Sequence, residues 1–513
     1  MLICLLALAV AADSLPPPRI VAIEVVRHDV FDLTDPETAS WPYRAANALH
    51  ILTRERFIRS LLLFREGDLW DPSLAEESER ILRGTGFLNP ASIRAKPVKG
   101  GVAVVVEARD QWTTELSLNY GRLGQRQKVG ISLSEQNFLG WGKTVYLDAR
   151  SDPERDAVTF GFTDPLFLAT RWRLELAYRE ASDGTADGFS LEYPFFSLGT
   201  LWAGGIRWRR ESLVEHLWAQ GKKQVSGNAM HRSLELWGGF RLAGDEERTR
   251  RITLGLFSEK ATFSHWTFGD GRSYPEPQDR QLGGLRLGFA SVSSRWQVAT
   301  GFRGWFRQED LPLGPDFSCS LGIPLSGFSG DSWAWPFSLN FFQAGLTGRL
   351  YRWLAANTQG RWQHGQARNT VTRLEAGFTF LGDQGFRGRA VLERGFHLDL
   401  DRQLTLGADS GLRGWDPDSF DGTSRAVVNL EWRQRLTGEV LHLAVLGLVL
   451  FADAGKSWGA RVGADTRGWR GDVGAGLLAE VTRAAILRVV RLEVSFPDDG
   501  TGPTVLLTGV SLF

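Results

Sequence analysis

The feature that most limits this chain is an alternation of apolar and charged residues that begins near residue 110 and runs almost to the end. In "WRLELAYRE", Trp172, Leu174, Leu176 and Tyr178 share one face of an extended segment, and Arg173, Glu175, Ala177 and Arg179 share the other. "RLEAGFTF" sets Leu374, Ala376, Phe378 and Phe380 against Arg373, Glu375 and Thr379. "VVNLEWRQR" sets Val428, Leu430 and Trp432 against Asn429, Glu431 and Arg433. "RWQVATGF" reads the same way, with Trp296, Val298 and Phe302 opposite Arg295 and Gln297. A sheet built this way over about 400 residues must bury its apolar side against a second layer or show it to lipid. No constant-length repeat marks a soluble propeller or β-helix. A bilayer offers no water to unpaired backbone groups, so a sheet within it closes, apolar side outward and charges in the lumen. At about 9–11 residues per spanning strand plus turns and loops, residues 110–513 allow an antiparallel transmembrane barrel of about 16 strands.

Composition fits that wall. Twenty Trp, 31 Phe and 58 Gly stand beside only 7 Tyr and 2 Met, with 23% charged residues. A large secreted β protein has a similar composition, so the alternation carries the argument. Lys and Arg number 59, as do Asp and Glu, so no global basic field invites nucleic acid. After residue 12 no apolar run reaches the length of about 18 residues that a membrane helix needs. Two cysteines, one of them Cys4 in the first apolar segment, exclude a disulfide framework.

Ahead of the barrel the period changes. Residues 1–12, "MLICLLALAVAA", read as a secretory signal peptide, although no Lys or Arg precedes the apolar run. Residues 19–109 read as a small α/β domain. "RIVAIEVV" is a strand, and "RERFIRSLLLF" is helical with Phe57, Leu61 and Phe64 in register. "DPSLAEESERILRGTGFL" is a helix capped by Asp71, with Pro72 in its first turn, a stripe of Leu74, Ser78, Ile81 and Leu82, and a stop at Gly84 or Gly86. "GVAVVVEAR" is a closing strand. Roughly residues 29–54 form an unusually long connection after the first strand.

One loop within the barrel segment is distinctive. "GLRGWDPDSFDG", residues 411–422, holds Arg413 between glycines, an aromatic residue and three aspartates. Taken alone it favours an ordinary solvated arginine. In a lumen of low dielectric, an arginine needs carboxylate partners. Alternation supplies two: Glu431, opposite Leu430 and Trp432, and Asp453 in "VLFADAGKSW", opposite Leu450 and Ala452. The planar guanidinium of Arg413 can clamp both, with Gly411 and Gly414 allowing a sharp, close approach.

The run "LRGW", then "NLEWR", then "FADAGKSW", resembles the BamA/TamA superfamily of outer-membrane assembly barrels, as do "SEQNFLGWGK" and "FGFTDPLFL" earlier. That resemblance implies an internal lock made of Arg413, Gly414, Trp415, Glu431 and Asp453, with the arginine in the sixth extracellular loop. It implies that residues 19–109 are one POTRA-like periplasmic domain, most clearly across 66–110. Leu412 stands where the family usually has Val, and Trp415 where Phe or Tyr is commoner. The C-terminal "VLLTGVSLF", ending in Phe513, resembles the sorting signal of bacterial outer-membrane barrels.

The implied function is assembly or insertion of outer-membrane proteins. The barrel closes by pairing its first strand, near 112–121, with its last, near 505–513. Leu116, Leu118, Leu507 and Phe513 mark that lateral seam, which Gly502, Pro503 and Gly509 weaken. A seam that opens would let a client strand add by β-augmentation. The expected partners are the outer-membrane bilayer, unfolded outer-membrane or secreted clients, and a periplasmic chaperone or accessory protein. A two-partner-secretion-type export pore and a passive porin or structural barrel are the alternatives. No enzyme activity, metal or cofactor is expected. "DAGKS" lacks the first glycine of a phosphate loop, "GADSG" lacks nucleophile-elbow spacing, and the eight His form no ligand motif.

Overall fold

The computed structural model describes residues 17–123, 126–152, 154–244, 247–331, 333–485 and 489–509. Residues 1–12, read above as a signal peptide, and Phe513 lie outside these described residues. The N-terminal unit contains β1 (Ile20–His28), α1 (Trp41–Leu49), α2 (Glu55–Leu61), α3 (Pro72–Gly84), β2 (Leu88–Val98) and β3 (Gly101–Asp110). Its three-stranded sheet has the order β1-β3-β2, with β1 parallel and β2 antiparallel to β3. The helices cover one face. Phe57, Ile58 and Leu61 of α2 and Ala75, Ser78 and Leu82 of α3 are buried against Ile20, Ile23, Val104 and Val106. Leu74 and Ile81 pack half-buried on the same core. The Asp71 side chain accepts a hydrogen bond from the Ser73 backbone N–H (2.8 Å), as the sequence predicts for this N-cap, and the helix stops at Gly84. The predicted long connection contains α1, a helix the apolar pattern did not reveal.

The barrel opens with β4 (Thr114–Leu123), β5 (Arg126–Phe138), β6 (Lys143–Ser151), β7 (Asp156–Phe167), β8 (Trp172–Ala181) and β9 (Gly184–Tyr193). Longer strands follow: β10 (Trp202–Ala219), β11 (Lys222–Gly244), β12 (Arg248–Phe268) and β13 (Arg280–Ser293). A short ribbon of β14 (Trp296–Ala299) and β15 (Glu309–Pro312) interrupts the wall. The wall resumes with β16 (Pro315–Pro324), β17 (Trp335–Thr347), β18 (Leu350–Gln363), β19 (Gln366–Phe380) and β20 (Gln384–Phe396). It ends with β21 (Ser424–Val440), β22 (Ala444–Trp458), β23 (Arg470–Val481), β24 (Val489–Pro497) and β25 (Thr504–Thr508). All but β14 and β15 form one closed antiparallel barrel, in which β25 neighbours β4.

Among the described residues the barrel has twenty strands rather than the expected 16 or so. Short strands and tight turns cause the difference. Strands β4 to β9 are 9–13 residues long and six of them fit within residues 114–193. "RWQVATGF" also departs from expectation. It supplies β14, whose partner is β15, and it lies in the connector 294–314 at the end of the barrel that carries the N-terminal unit. Elsewhere the alternation places residues as read. Leu176, Tyr178, Leu374, Phe380, Val428 and Leu430 are exposed on the outer wall. On the inner wall of β21, Asn429, Glu431 and Arg433 are buried.

Candidate functional site: a lumen bolted from both ends

Loop 397–423, between β20 and β21, leaves the far end of the barrel and turns inward. Leu406 and Phe420 exchange backbone hydrogen bonds (2.9 and 3.0 Å), closing the loop neck. Beyond the neck, Gly411 adopts φ +120°, and a Cβ there would stand 2.8 Å from Val427 Cγ1. Leu406, Leu412 and Val427 form a small buried cluster, with Trp415 and Phe420 packed on it. Gly414 comes so close to the wall that a Cβ would lie 2.8 Å from Asp472 Cβ. Both glycines are there because the loop has no room for a side chain.

These contacts drive Arg413 into the wall, where it is only 1% exposed. Its Nε and Nη2 donate to the two oxygens of Asp453 (2.7 and 2.8 Å), and Nη1 donates to Glu431 (2.7 Å). The guanidinium carbon lies 3.6 Å from the Phe451 ring centroid. Burial alone would lower the pKa of Arg413, but the hydrogen bonds and charge of Asp453, with the charges of Glu431 and Glu493, outweigh it and hold the pKa above its ordinary value. Trp415 Nε1 donates to the Gly471 carbonyl (3.4 Å). The structure therefore brings together Arg413, Gly414, Trp415, Glu431 and Asp453. The loop that carries them is the eighth at the far end, counted along the strand order, because the strands before it are more numerous than expected.

Several partners escaped the sequence reading. Arg491 Nη2 donates to Glu431 (2.6 Å) and to Glu493 (2.5 Å), and Arg413 Nη1 also reaches Glu493 (3.4 Å). Asn429 Nδ2 donates to Asp453 and to the Gly411 carbonyl, both at 2.7 Å. Thr504 Oγ1, on the last strand, donates to the Gly414 carbonyl (3.0 Å). The loop is thus fastened to β21, β22, β24 and β25. Alternation in "RLEVSF" already places Arg491 and Glu493 opposite Leu492 and Val494. The signal was present but no motif drew attention to it.

A second segment enters from the opposite end. The connector 294–314 projects its tip into the lumen, where the Glu480 carboxylate accepts backbone N–H bonds from Trp305, Phe306 (3.0 Å) and Arg307 (3.3 Å). Trp305 packs on Val449, Phe451, Leu478 and Val489. Arg433, which also donates to Glu431 (3.2 Å), donates to the Arg303 carbonyl (3.0 Å), and Arg387 donates to the Phe302 carbonyl. Connector and loop therefore meet at Glu431 through Arg433 and Arg413.

The connector is tied in turn to the N-terminal unit. Arg83 of α3 grips Asp310 with two hydrogen bonds (2.9 and 2.6 Å), and Asn89 Nδ2 donates to the Gln308 carbonyl (3.1 Å). Other contacts seat the unit across the barrel mouth. Asn137 Nδ2 donates to Thr53 Oγ1 (2.8 Å), Arg171 to the Leu62 carbonyl (2.8 Å), and Leu198 N–H to Glu77 (2.7 Å). On the far side of the mouth, Tyr43 Oη donates to the Leu441 carbonyl (2.9 Å).

At the seam, β25 is five residues long and pairs with β24 from Ser495↔Thr504 to Arg491↔Thr508. Leu507 and Leu116 are both exposed on the outer wall of neighbouring strands, and Leu118 lies in β4 opposite Ile131. Phe513 is outside the described residues.

No protein-family model matches the chain. No curated protein matches it either. Solved structures do. BamA from Haemophilus ducreyi lacking POTRA domains 1–3 is 13% identical, with 95% of this chain and 83% of that one covered at a TM-score of 0.37. CdiB from Acinetobacter baumannii is 8% identical, with 96% and 73% covered at a TM-score of 0.44. CdiB from Escherichia coli is 15% identical, with 95% and 75% covered at a TM-score of 0.43. The closed barrel itself rests on the strand order described above.

Proposed function

We propose that this chain is a bacterial outer-membrane barrel of the BamA/TamA type that assembles or inserts other outer-membrane proteins, with its N-terminal unit serving as a POTRA-like domain in the periplasm. The observation that carries the reading is the Arg413 clamp on Glu431 and Asp453 in a lumen also occupied by the connector. Such a lumen suits a gated or wall-active barrel better than a passive pore. Its ion pairs make the wall from β21 to β24 stiff right up to the seam. The short β25 then meets β4 at the seam. Parting there would expose strand edges, and a client strand would gain main-chain hydrogen bonds by augmentation. No catalytic step, cofactor or nucleic acid enters this scheme.

Export of one secreted substrate through the lumen is the second reading, because an occupied lumen also describes a resting exporter. Depletion of the protein followed by profiling of the outer membrane separates the two. Broad loss of barrel proteins supports insertion, loss of one secreted protein supports export, and altered solute uptake alone defeats both. A disulfide between cysteines at Leu116 and Leu507 is expected to abolish insertion reversibly. Full activity with the seam locked would sink the lateral-opening mechanism.

A further inference from the structure

On three neighbouring strands the apolar outer wall stops at the same level and in the same way. Outward positions along β10 are Trp202, Gly204, Ile206 and Trp208, then Arg210. Along β11 they are Phe240, Gly238, Leu236 and Leu234, then Arg232, and along β12 they are Ile252, Leu254, Leu256 and Ser258, then Lys260. Register sets the three cations side by side, with Arg210 opposite Arg232 and Arg232 opposite Lys260, and all three are exposed. The row lies toward the far end of the barrel, where the turn after β10 is bonded to the loop through Gln220 N–H and the Ser419 carbonyl (2.9 Å). At about 3.3 Å per residue and a strand tilt of about 40°, Phe240 and Arg232 are about 20 Å apart along the barrel axis, close to the height of roughly 25 Å of an apolar band in such barrels. Trp208, next to Arg210 on the same face, packs on Phe189 with ring centroids 6.1 Å apart, as in an aromatic girdle.

The protein does little to neutralise this row. The acids of the three strands, Glu211, Glu215, Glu235 and Glu259, have the opposite parity and face the lumen. There Glu215 meets His231 (2.7 Å), and Glu235 and Glu259 meet Arg286 (3.2 and 2.6 Å). On the outer face Asp187 of β9 stands across from Arg210, and Gln281 of β13 across from Lys260. Among the described residues none of the three cations forms an ion pair, with Asp187 or any other acid. Like charges directly opposite one another across a strand pair are destabilising, so the row weakens the sheet with no ion pair to offset it. The next outward positions, Ser212, Met230 and Thr262, are uncharged, which confines the cations to one level. An anion supplied from outside the protein, at the height where wall meets headgroups, balances them.

We propose that Arg210, Arg232 and Lys260 form a binding site for an outer-leaflet lipid whose headgroup carries two phosphates. Neighbouring strands lie about 4.8 Å apart, so the three Cα atoms span about 10 Å, a width over which long basic side chains reach two phosphate groups. The arginines do so through planar forks that match phosphate oxygens. Trp208, Leu234 and the apolar positions beyond them lie along the path of the acyl chains. The proposal rests on the reading that the barrel spans the outer membrane with its N-terminal unit in the periplasm, and the test separates the two.

The full chain is reconstituted into phosphatidylcholine vesicles and washed with alkaline carbonate. In parallel, detergent-solubilised protein is titrated with diphosphorylated lipid A or with phosphatidylcholine, and native mass spectrometry reads the occupancy. A variant carrying Arg210→Gln, Arg232→Gln and Lys260→Gln is compared with Arg207→Gln, which removes a lumen-facing cation from the same strand. Wild type and Arg207→Gln should prefer lipid A, and the triple variant should bind it about a hundredfold more weakly, because each basic side chain beside an anionic headgroup is worth about fivefold. Equal binding by wild type and the triple variant, or no preference for lipid A over phosphatidylcholine, overturns the proposal and leaves the barrel reading intact. Displacement of lipid A by an equal concentration of inorganic pyrophosphate overturns it in favour of a small-anion site. Loss of the protein from the vesicles in the carbonate wash overturns both. In zwitterionic detergent without lipid A, the triple variant should lose its heat-modified migration at the wild-type midpoint or above it, since like charges have been removed. A lower midpoint would mean that the cations serve the fold rather than a lipid, and would overturn the proposal.

Discussion

Two stretches of the inner wall carry the same kind of sequence and put it to different use. From β21 to β24, Glu431, Asp453, Arg491 and Glu493 face inward and are almost wholly buried. From β8 to β13, Glu192, Arg207, Glu235, Glu259 and Arg286 also face inward, but they line a water-accessible cavity of about 850 Å³. Arg207, with its side chain 51% exposed, reaches Glu192 (2.6 Å) and Glu235 (3.4 Å). Arg286 reaches Glu235 (3.2 Å) and Glu259 (2.6 Å). Alternation decides which way a charge points. What fills the lumen decides what the charge is worth. The loop and the connector lie against one side and desolvate it, so a broken pair there leaves an uncompensated buried ion. On the other side water takes the place of a lost partner.

Removing the bolt tests this most severely. Arg413→Ala leaves Asp453 and Glu431 without their shared cation and is expected to cost about 3–5 kcal/mol. The midpoint of heat-modified migration on gels should fall accordingly, and an unchanged midpoint would show that the loop is not fastened. Arg413→Lys sharpens the point. A lysine keeps the charge but has no planar fork to span Asp453 and Glu431 together, so only part of the loss should return. Next in size is the tie between the N-terminal unit and the connector. Arg83→Ala removes two hydrogen bonds to Asp310 and is expected to cost about 1.5–3 kcal/mol. Because this contact joins two parts rather than holding the wall, the change should appear as faster proteolysis between unit and barrel, with the barrel midpoint little moved.

Much of the comparison was legible in the sequence, for definable reasons. Glu431 and Asp453 could be found because each sits one residue from an apolar neighbour in a regular strand, and period two fixes the face. The cap at Asp71 could be found because capping is local. What could not be read depends on contacts distant in sequence. Trp296 to Phe302 has the same pattern as a wall strand, yet its partner is its own return segment, and nothing in "RWQVATGF" says whether the next strand lies beside it or across a ribbon. The strand number followed from assumed turn lengths, which two-residue links such as Ser182–Asp183 undercut. Helix α1 was hidden because its apolar face never enters a core, and core-facing periodicity is the main signal for a helix.

The weakest expected effect is the one that defines the comparison. Arg207→Ala deletes two ion pairs as short as some of those around Arg413, and a count of contacts would rank the two changes together. Half of the Arg207 side chain is already in solvent, and its carboxylate partners line an open cavity where water and counterions can replace it. A loss of about 0.2–1 kcal/mol is expected, shrinking further at high salt as screening removes what attraction remains. The Arg413→Ala loss should hold nearly constant over the same salt range, because buried pairs are poorly screened. Melting midpoints of both variants at low and high salt decide the matter. A large, salt-insensitive loss for Arg207→Ala would mean that both walls are equally dry, and that loop and connector are not what sets the two sides apart.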